Sequence, residues 1–439
     1  MSNWSKVSIE LVQDPNNYKL WFKLIESIEA KNINKSSNEE EIEILRITYD
    51  KLLIRYPYLF KYWIKYAEWE FNLGNAEKAN EIYQKALFQM SYSIDLWIEF
   101  LKFKILTISN NQIEILKLFE KARSLIGYHY FSHEFYQLYL EFLKNYNEES
   151  NQFMDKYYIL LRIIIEIPLY NYEYFFKIWF DIIKAKPSLI SVNESLDSNS
   201  LRKLFIDVYI TTQFKSYEIY QFEKKINPHN FNFKLISNQQ LQNWDAYFEM
   251  LNFKHYPSEM LEMNYHRYLY VCLGYPVAWI NVADFYIFNH KYNNSRRILK
   301  LGYKLIGDYK ILLKLIDLEI FLKQYQSAKS LIADFLKFNQ NVPVEIYEKL
   351  ISIERLFKFH DDDYLLNLVD NVIDESKESW FFNILLNFDI KKEKLVKFLD
   401  DHKELYQNDK YYKNVTKTLN NKIDKDYEGY DVIINKIKI

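Results

Sequence analysis

The sequence predicts an all-α chain, an α-α superhelix of stacked helical hairpins arranged in two arrays. Three observations carry that reading. First, an aromatic phrase recurs. WIKYAEWE begins at Trp63 and WIEFLKFK at Trp97, 34 residues on; WDAYFEML begins at Trp244 and WINVADFY at Trp279, 35 residues on. WFKLIESIE at Trp21 and YQLYLEFL at Tyr136 are weaker copies. Self-similarity at a fixed period of this size marks a solenoid, in which each unit packs on its neighbours. Second, the phrases keep helical spacing. Third, the 439 residues contain only 6 Gly and 8 Pro, too few breakers for an all-β protein and suited to long helices with short turns.

The repeat at Trp63 shows the unit in detail. Trp63, Tyr66, Ala67 and Glu70 fall at i, i+3, i+4 and i+7, one face of a first helix. Leu73, Gly74 and Asn75 follow, where Gly74 suits the left-handed end of a helix. In AEKANEIYQKAL, Ala79, Ile82, Tyr83, Ala86 and Leu87 again share a face. The small Ala79 and Ala86 let the second helix approach the first. The same frame places Leu118, Phe119 and Ala122 after Trp97, and Ser295, Ile298, Leu299 and Gly302 after Trp279. Trp244 and Tyr247 repeat the spacing of Trp63 and Tyr66. Leu45, Tyr49 and Leu52, then Pro57 in a turn, precede Trp63. Weaker copies continue after 309, up to SWFFNILLNF at Trp380, and the last stretch, 391–439, is lysine-rich but balanced by acids.

One interruption divides the array. After Trp179 and Pro187 comes the polar LISVNESLDSNS, then a helical segment over 201–226, then NPHNFNFKLISNQQ leading to Trp244. The expected organisation is an N-terminal array at 1–185, a connector with a helix at 186–235, and a C-terminal array at 236–439.

Composition excludes several classes of function. With 57 basic and 59 acidic side chains the net charge is −2, so nucleic-acid binding through a general basic surface is not expected. Cys272 is the only cysteine; it allows no intrachain disulfide and no thiolate zinc site, and favours a reducing compartment. The start, MSNWSKVSIE, does not read as a signal peptide. The most apolar stretch, ILLRIIIEIPL, is broken by Arg162 and Glu166 and is too short for a bilayer. No phosphate-binding, dinucleotide or nucleophile-elbow motif is present, so the chain reads as non-enzymatic, without cofactor or metal.

Four features invite a sharper reading. His129 and His133 stand at a metal-ligand spacing, but in GYHYFSHEF they sit at a turn into a helix and lack the glutamate of a zinc helix. Asp361, Asp362 and Asp363 suit a solvated helix start, favoured by the helix dipole, better than a cation site. Arg296, Arg297, Lys300 and Lys304 make a basic ridge that reads as an ordinary solvated helix face before an RNA contact. The recurrent Trp and Tyr resemble base-stacking platforms only superficially; their helical spacing places them in the core.

The phrase W-x-x-Y-x-x-x-E with a second helix ending I-Y-x-x-A resembles the half-a-tetratricopeptide, or HAT, repeat. Trp63, Tyr66 and Glu70 match its first helix, and Ile82, Tyr83 and Ala86 its second. RYPYLFKYWIKYAEWEFNLGN, SIDLWIEFLKF, LIGYHYFSHEFYQLYLEFL, LRIIIEIPLYNY and QLQNWDAYFEM, in that order, resemble the family of pre-mRNA-processing factors thirty-nine and forty-two, from about Trp21 to Leu301. Lys104 and Leu251 depart from the repeat glutamate, so those repeats lack the same acidic contact. The resemblance implies a nuclear scaffold of the U1 small nuclear ribonucleoprotein, acting in pre-mRNA splicing and 5′ splice-site recognition through U1 snRNP proteins. It further implies a homo- or heterodimer with a related HAT protein through the C-terminal array, RNA contact mostly indirect, and no membrane. The alternatives are a HAT scaffold of another RNA-processing complex, such as mRNA 3′-end cleavage, and a tetratricopeptide-like chaperone adaptor; the latter needs a basic carboxylate clamp that is not visible on the first helices.

Overall fold

A computed structural model describes residues 3–15, 17–31, 33–107, 111–146, 152–185, 198–226, 236–339, 342–357, 362–376, 379, 381–387 and 390–421. Most of LISVNESLDSNS, much of NPHNFNFKLISNQQ, Asp361, Trp380 and the stretch beyond Asn421 lie outside them. Among the described residues there are helices and turns and no strand.

Helix α1 (Asn3–Gln13) precedes a succession of hairpins. The first is α2 (Tyr18–Glu29) with α3 (Glu39–Arg55), the second α4 (Phe60–Asn72) with α5 (Ala76–Gln89), and the third α6 (Ile94–Thr107) with α7 (Gln112–Ile126). Then come α8 (His133–Asn145) with α9 (Gln152–Ile164), α10 (Tyr172–Ala185) with the long α11 (Ser198–Glu223), and α12 (Asn238–Phe253) with α13 (Ser258–Val271). Next are α14 (Pro276–Phe288) with α15 (Tyr292–Ile306), α16 (Tyr309–Phe321) with α17 (Tyr325–Phe338), and α18 (Val344–Phe357) with α19 (Asp362–Ser376). The shorter α20 (Phe381–Ile384), α21 (Lys392–Asp401), α22 (Lys403–Tyr406) and α23 (Lys410–Asn421) close the succession.

Local chemistry sets the helix ends. The side chains of Asn17, Asn38, Asn111, Ser237 and Asp308 accept hydrogen bonds from backbone N–H groups of the helices they precede, satisfying donors that a helix start leaves unpaired. Gly74 ends α4 with φ 92°, a conformation costly for a residue with a Cβ.

The chain falls into two compact units, Met1–Leu273 and Gly274–Ile439. Compactness thus divides it after Leu273, whereas the sequence places a connector at 186–235. The difference has a physical cause. Glu223, at the end of α11, accepts the Tyr247 hydroxyl from α12 at 3.0 Å and the Arg267 guanidinium from α13 at 2.7 and 2.8 Å. Helix α13 in turn packs on α7. These links keep α11–α13 with the hairpins before them.

The second unit is built around one apolar cluster that includes Leu312, Ile316, Ile332, Ile351, Val369, Phe382 and Phe398. Its close packing appears at Gly302: a Cβ there would lie 2.6 Å from the Trp279 ring. Gly302→Ala is expected to lower the stability of this unit by about 1–3 kcal/mol through overpacking, read from thermal unfolding; an unchanged midpoint would mean that the α14–α15 contact is loose. The unit also buries an ion pair, Lys349 Nζ to Asp317 Oδ1 at 2.6 Å. Burial pushes the Asp317 carboxyl up to about 6, against the opposing pull of Lys349 and Lys314.

Candidate functional site

Five of the repeat aromatics occupy one structural position. In α2, α4, α6, α8 and α14 the aromatic Trp21, Trp63, Trp97, Tyr136 and Trp279 is the fourth residue of its helix, and all five are buried. Three indoles make the same bond. Trp21, Trp63 and Trp97 each donate Nε1–H to a carbonyl six residues upstream, on Pro15, Pro57 and Ser91, at 3.0, 2.8 and 2.8 Å. The indole therefore ties its helix to the preceding turn while filling the hairpin interior. Tyr136 donates to the Gly127 carbonyl at 3.1 Å. Trp244 lies deeper in its helix, fully buried, with the Arg267 guanidinium 5.7 Å from its ring. Ile82, Tyr83, Ala86 and Ala122 line the second-helix side of the same interior.

The tyrosine three residues after the marker has its own contact. Tyr66, Tyr139 and Tyr247 stack on rings of the preceding hairpin, Tyr49, Phe119 and Phe222, with interplanar angles of 16°, 10° and 11°. The residue after each of those rings is an acid: Asp50, Glu120 and Glu223. Tyr139 donates to Glu120 and Tyr247 to Glu223. Burial first, and then the neighbouring carboxylate, pushes all three phenols far above their usual value, so they remain donors. Where the tyrosine is replaced by Phe100, the preceding helix carries Tyr83 followed by Gln84, and the acid is gone with the hydroxyl.

Glu70 is buried and braced. Arg46, on the previous hairpin, grips it at 2.7 and 3.0 Å, and Asn75 and Lys78 add contacts at 3.0 and 3.2 Å. Burial raises the Glu70 carboxyl, and these donors outweigh it, so its pKa falls below the usual value. The same brace recurs in the second unit, where Arg296 grips Glu319 at 2.7 and 3.0 Å. At the two positions that depart from glutamate, Lys104 is buried with its ammonium 5.5 Å from the Phe100 ring, and Leu251 is buried.

Three of the sharper features lie as follows. Arg296 of the basic ridge is committed to Glu319, while Lys300 and Lys304 are solvent-facing. Asp362 opens α19, and Asp363 pairs with Lys394 at 2.8 Å. His129 Nδ1 accepts the Phe131 N–H at 3.0 Å, and His133 starts α8. Among the described residues no group of three or more His, Cys, Asp or Glu is placed to hold a metal ion, and no helix is long and apolar enough to cross a membrane.

Two further surface features are notable among the described residues. Ile206, Ile210, Phe214, Tyr217 and Tyr220 lie along one face of α11 and are exposed. A cleft of about 370 Å³ in the first unit is lined by Tyr92, His129, Phe131, His133, Glu134 and Arg267, among others. Sequence reasoning missed both, because the first lies in the supposed connector and the second joins segments from four hairpins.

Comparison with known families decides the assignment of this architecture. The family profile described as PRP39 N-terminal HAT repeat matches residues 5–181, and that described as PRP39 C-terminal HAT repeat matches residues 217–356. Together they account for more than half of the chain.

The chain belongs to the PRP39 HAT-repeat family.

Its similarity to curated members is moderate. The U1 small nuclear ribonucleoprotein component PRP42 of Saccharomyces cerevisiae is 29% identical over 382 residues, covering 80% of this chain and 66% of that protein. Pre-mRNA-processing factor 39 of Schizosaccharomyces pombe is 25% identical over 321 residues, covering 64% of this chain and 51% of that protein. Pre-mRNA-processing factor 39 of Homo sapiens is 24% identical over 335 residues, covering 65% and 48%. The chain thus spans about half to two thirds of the length of these PRP39-family relatives. Among solved structures, the crystal structure of CstF-77 superposes with a TM-score of 0.43 at 10% identity, over 86% of this chain and 89% of that one; a likeness so slight does not bear on function.

Proposed function

We propose that this chain is a non-enzymatic scaffold subunit of the U1 small nuclear ribonucleoprotein, acting in the nucleus in pre-mRNA splicing. The observation that carries the proposal is the 29% identity over 382 residues to a protein named as a component of that particle. The architecture supports it. The aromatic, phenolic and acidic side chains of the repeats are spent on joining hairpin to hairpin. What is left for function is surface, and solenoid surfaces bind partners.

In this reading the chain contributes to 5′ splice-site recognition through contacts with U1 snRNP proteins. RNA is reached mostly indirectly, as the net charge of −2 supports. The repeats before the 186–235 segment engage particle proteins, and those after it pair with a second HAT chain, identical or related. The test is co-sedimentation: in a gradient of nuclear extract from the source organism, the tagged chain should migrate with U1 RNA. Migration of the whole pool away from U1 RNA would refute the assignment.

A further inference from the structure

We propose that the solvent-facing side of α11 is a docking site for an amphipathic helix of a partner protein, one that carries acidic residues at both ends of its apolar stripe. The inference does not depend on which particle the chain serves.

Helix α11 is apolar on two faces. One face holds it to the first unit. The Thr212 and Ser216 hydroxyls donate to the Ile165 and Leu169 carbonyls at 2.8 and 2.9 Å, and Ile219 is buried. The other face carries Ile206, Ile210, Phe214, Tyr217 and Tyr220, which are between 41% and 65% exposed. Steps of four, four, three and three residues keep them on one side of the helix. The stripe runs about 21 Å, at roughly 1.5 Å per residue. Beside its start, the half-exposed Phe180 of α10 lies 5.6 Å from Phe205. A second apolar face calls for a second neighbour, and a contiguous exposed apolar patch marks an interaction surface. Because the first face fixes α11, the second is ordered before a partner arrives and loses little entropy on binding.

Form and size select the occupant. A narrow stripe of side chains at helical spacing is complementary to another helix, whose ridges fit its grooves. These few side chains fall well short of the roughly 20–30 residues a side that a stable domain interface uses. One helix of about four turns covers them.

Charge selects the ends of that helix and disfavours a second copy of this chain. Lys203 stands three residues before Ile206 and Lys224 four after Tyr220, so both lie in line with the stripe, one at each end, and both are exposed. The Lys224 ammonium lies 5.6 Å from the Tyr220 ring and donates to Gln221, contacts that leave its charge in place. The nearest carboxylates stand to one side. Glu218 pairs with Lys254 at 3.2 Å, and Asp207 lines a separate cleft with Thr211 and Lys215. Two copies of α11 laid face to face would set lysine against lysine at each end, whether parallel or antiparallel. A helix with Glu or Asp at both ends meets them instead.

The test uses the full chain and a labelled helical peptide of about five turns, with leucines at i, i+4, i+7 and i+11 and glutamates at both ends. One control peptide carries lysines in place of the glutamates, and another scatters the leucines around the helix. Anisotropy at low salt is the readout. The glutamate-ended peptide is expected to bind saturably, the scattered peptide not to bind, and the lysine-ended peptide to bind about five-fold more weakly. Phe214→Gln is expected to weaken binding about ten-fold with unchanged melting, since the ring is solvent-facing. Lys203→Glu combined with Lys224→Glu should reverse the preference between the two end charges. Sedimentation of the chain should be unaltered by Phe214→Gln. Absence of saturation, equal binding of the scattered peptide, or an unreversed preference in the double variant would overturn the proposal. So would self-association, or binding to phosphatidylcholine vesicles, that Phe214→Gln abolishes.

Discussion

Trp63→Ala is expected to lower the unfolding free energy of the first unit by about 3–5 kcal/mol. The indole is buried between α4 and its neighbours, and its N–H is bonded to the Pro57 carbonyl at 2.8 Å. Truncation removes an aromatic filling and takes the indole donor from the Pro57 carbonyl. Trp63→Phe separates the two contributions. It keeps most of the ring volume and loses the bond, and should cost about 1–2 kcal/mol. Chemical denaturation of both variants reads the difference. Unchanged stability of Trp63→Ala would mean that the ring is solvent-facing and that the hairpin interior has been misplaced.

The second large effect is expected at Glu223. Its carboxylate accepts Arg267 in a fork and the Tyr247 hydroxyl at 3.0 Å, and both Glu223 and Arg267 are buried. Glu223→Leu leaves a guanidinium in the interior without its counter-charge, and should cost about 3–5 kcal/mol. Arg267→Met alone leaves a buried carboxylate and should cost a similar amount. The double variant removes both charges and should be much less destabilised than the sum of the singles, because an apolar pair of similar size replaces an ion pair that itself contributes little net stability. Additive losses would show that the two side chains do not interact. Because Glu223 joins α11, α12 and α13, hydrogen exchange in the Glu223→Leu variant should rise in α12 and α13 before it rises in α4 and α5.

Much of this architecture is legible in the chain. The indole phrases announce the first helices, because an indole at a fixed place in each helix leaves a repeated letter. Other helices hide the same position behind different letters. Phe175 holds it in α10, not the nearby Trp179; Leu312 holds it in α16 and Tyr347 in α18. Any large apolar side chain fills the site there, so the signal fades although the packing persists. The braces are harder to read. Arg46 and Glu70, or Arg296 and Glu319, belong to different hairpins, and their pairing depends on the register of one repeat against the next. One such contact does leave a trace: an aromatic residue followed by an acid, as in Tyr49-Asp50, Phe119-Glu120 and Phe222-Glu223, precedes each repeat that carries the hydroxyl of Tyr66, Tyr139 or Tyr247. The cleft beside Tyr92 leaves none, because it is assembled from segments whose closeness is a product of the folded unit.

In the proposed role, a solenoid whose repeat side chains are committed to its own interior serves the splicing particle through its surfaces alone. Affinity purification of the tagged chain from its own cells, with sequencing of bound RNA and identification of bound proteins, tests it most directly. Enrichment of U1 RNA together with U1 proteins and a second HAT chain is expected. Recovery of 3′-end cleavage factors, or of chaperones without RNA, in place of U1 RNA would contradict it.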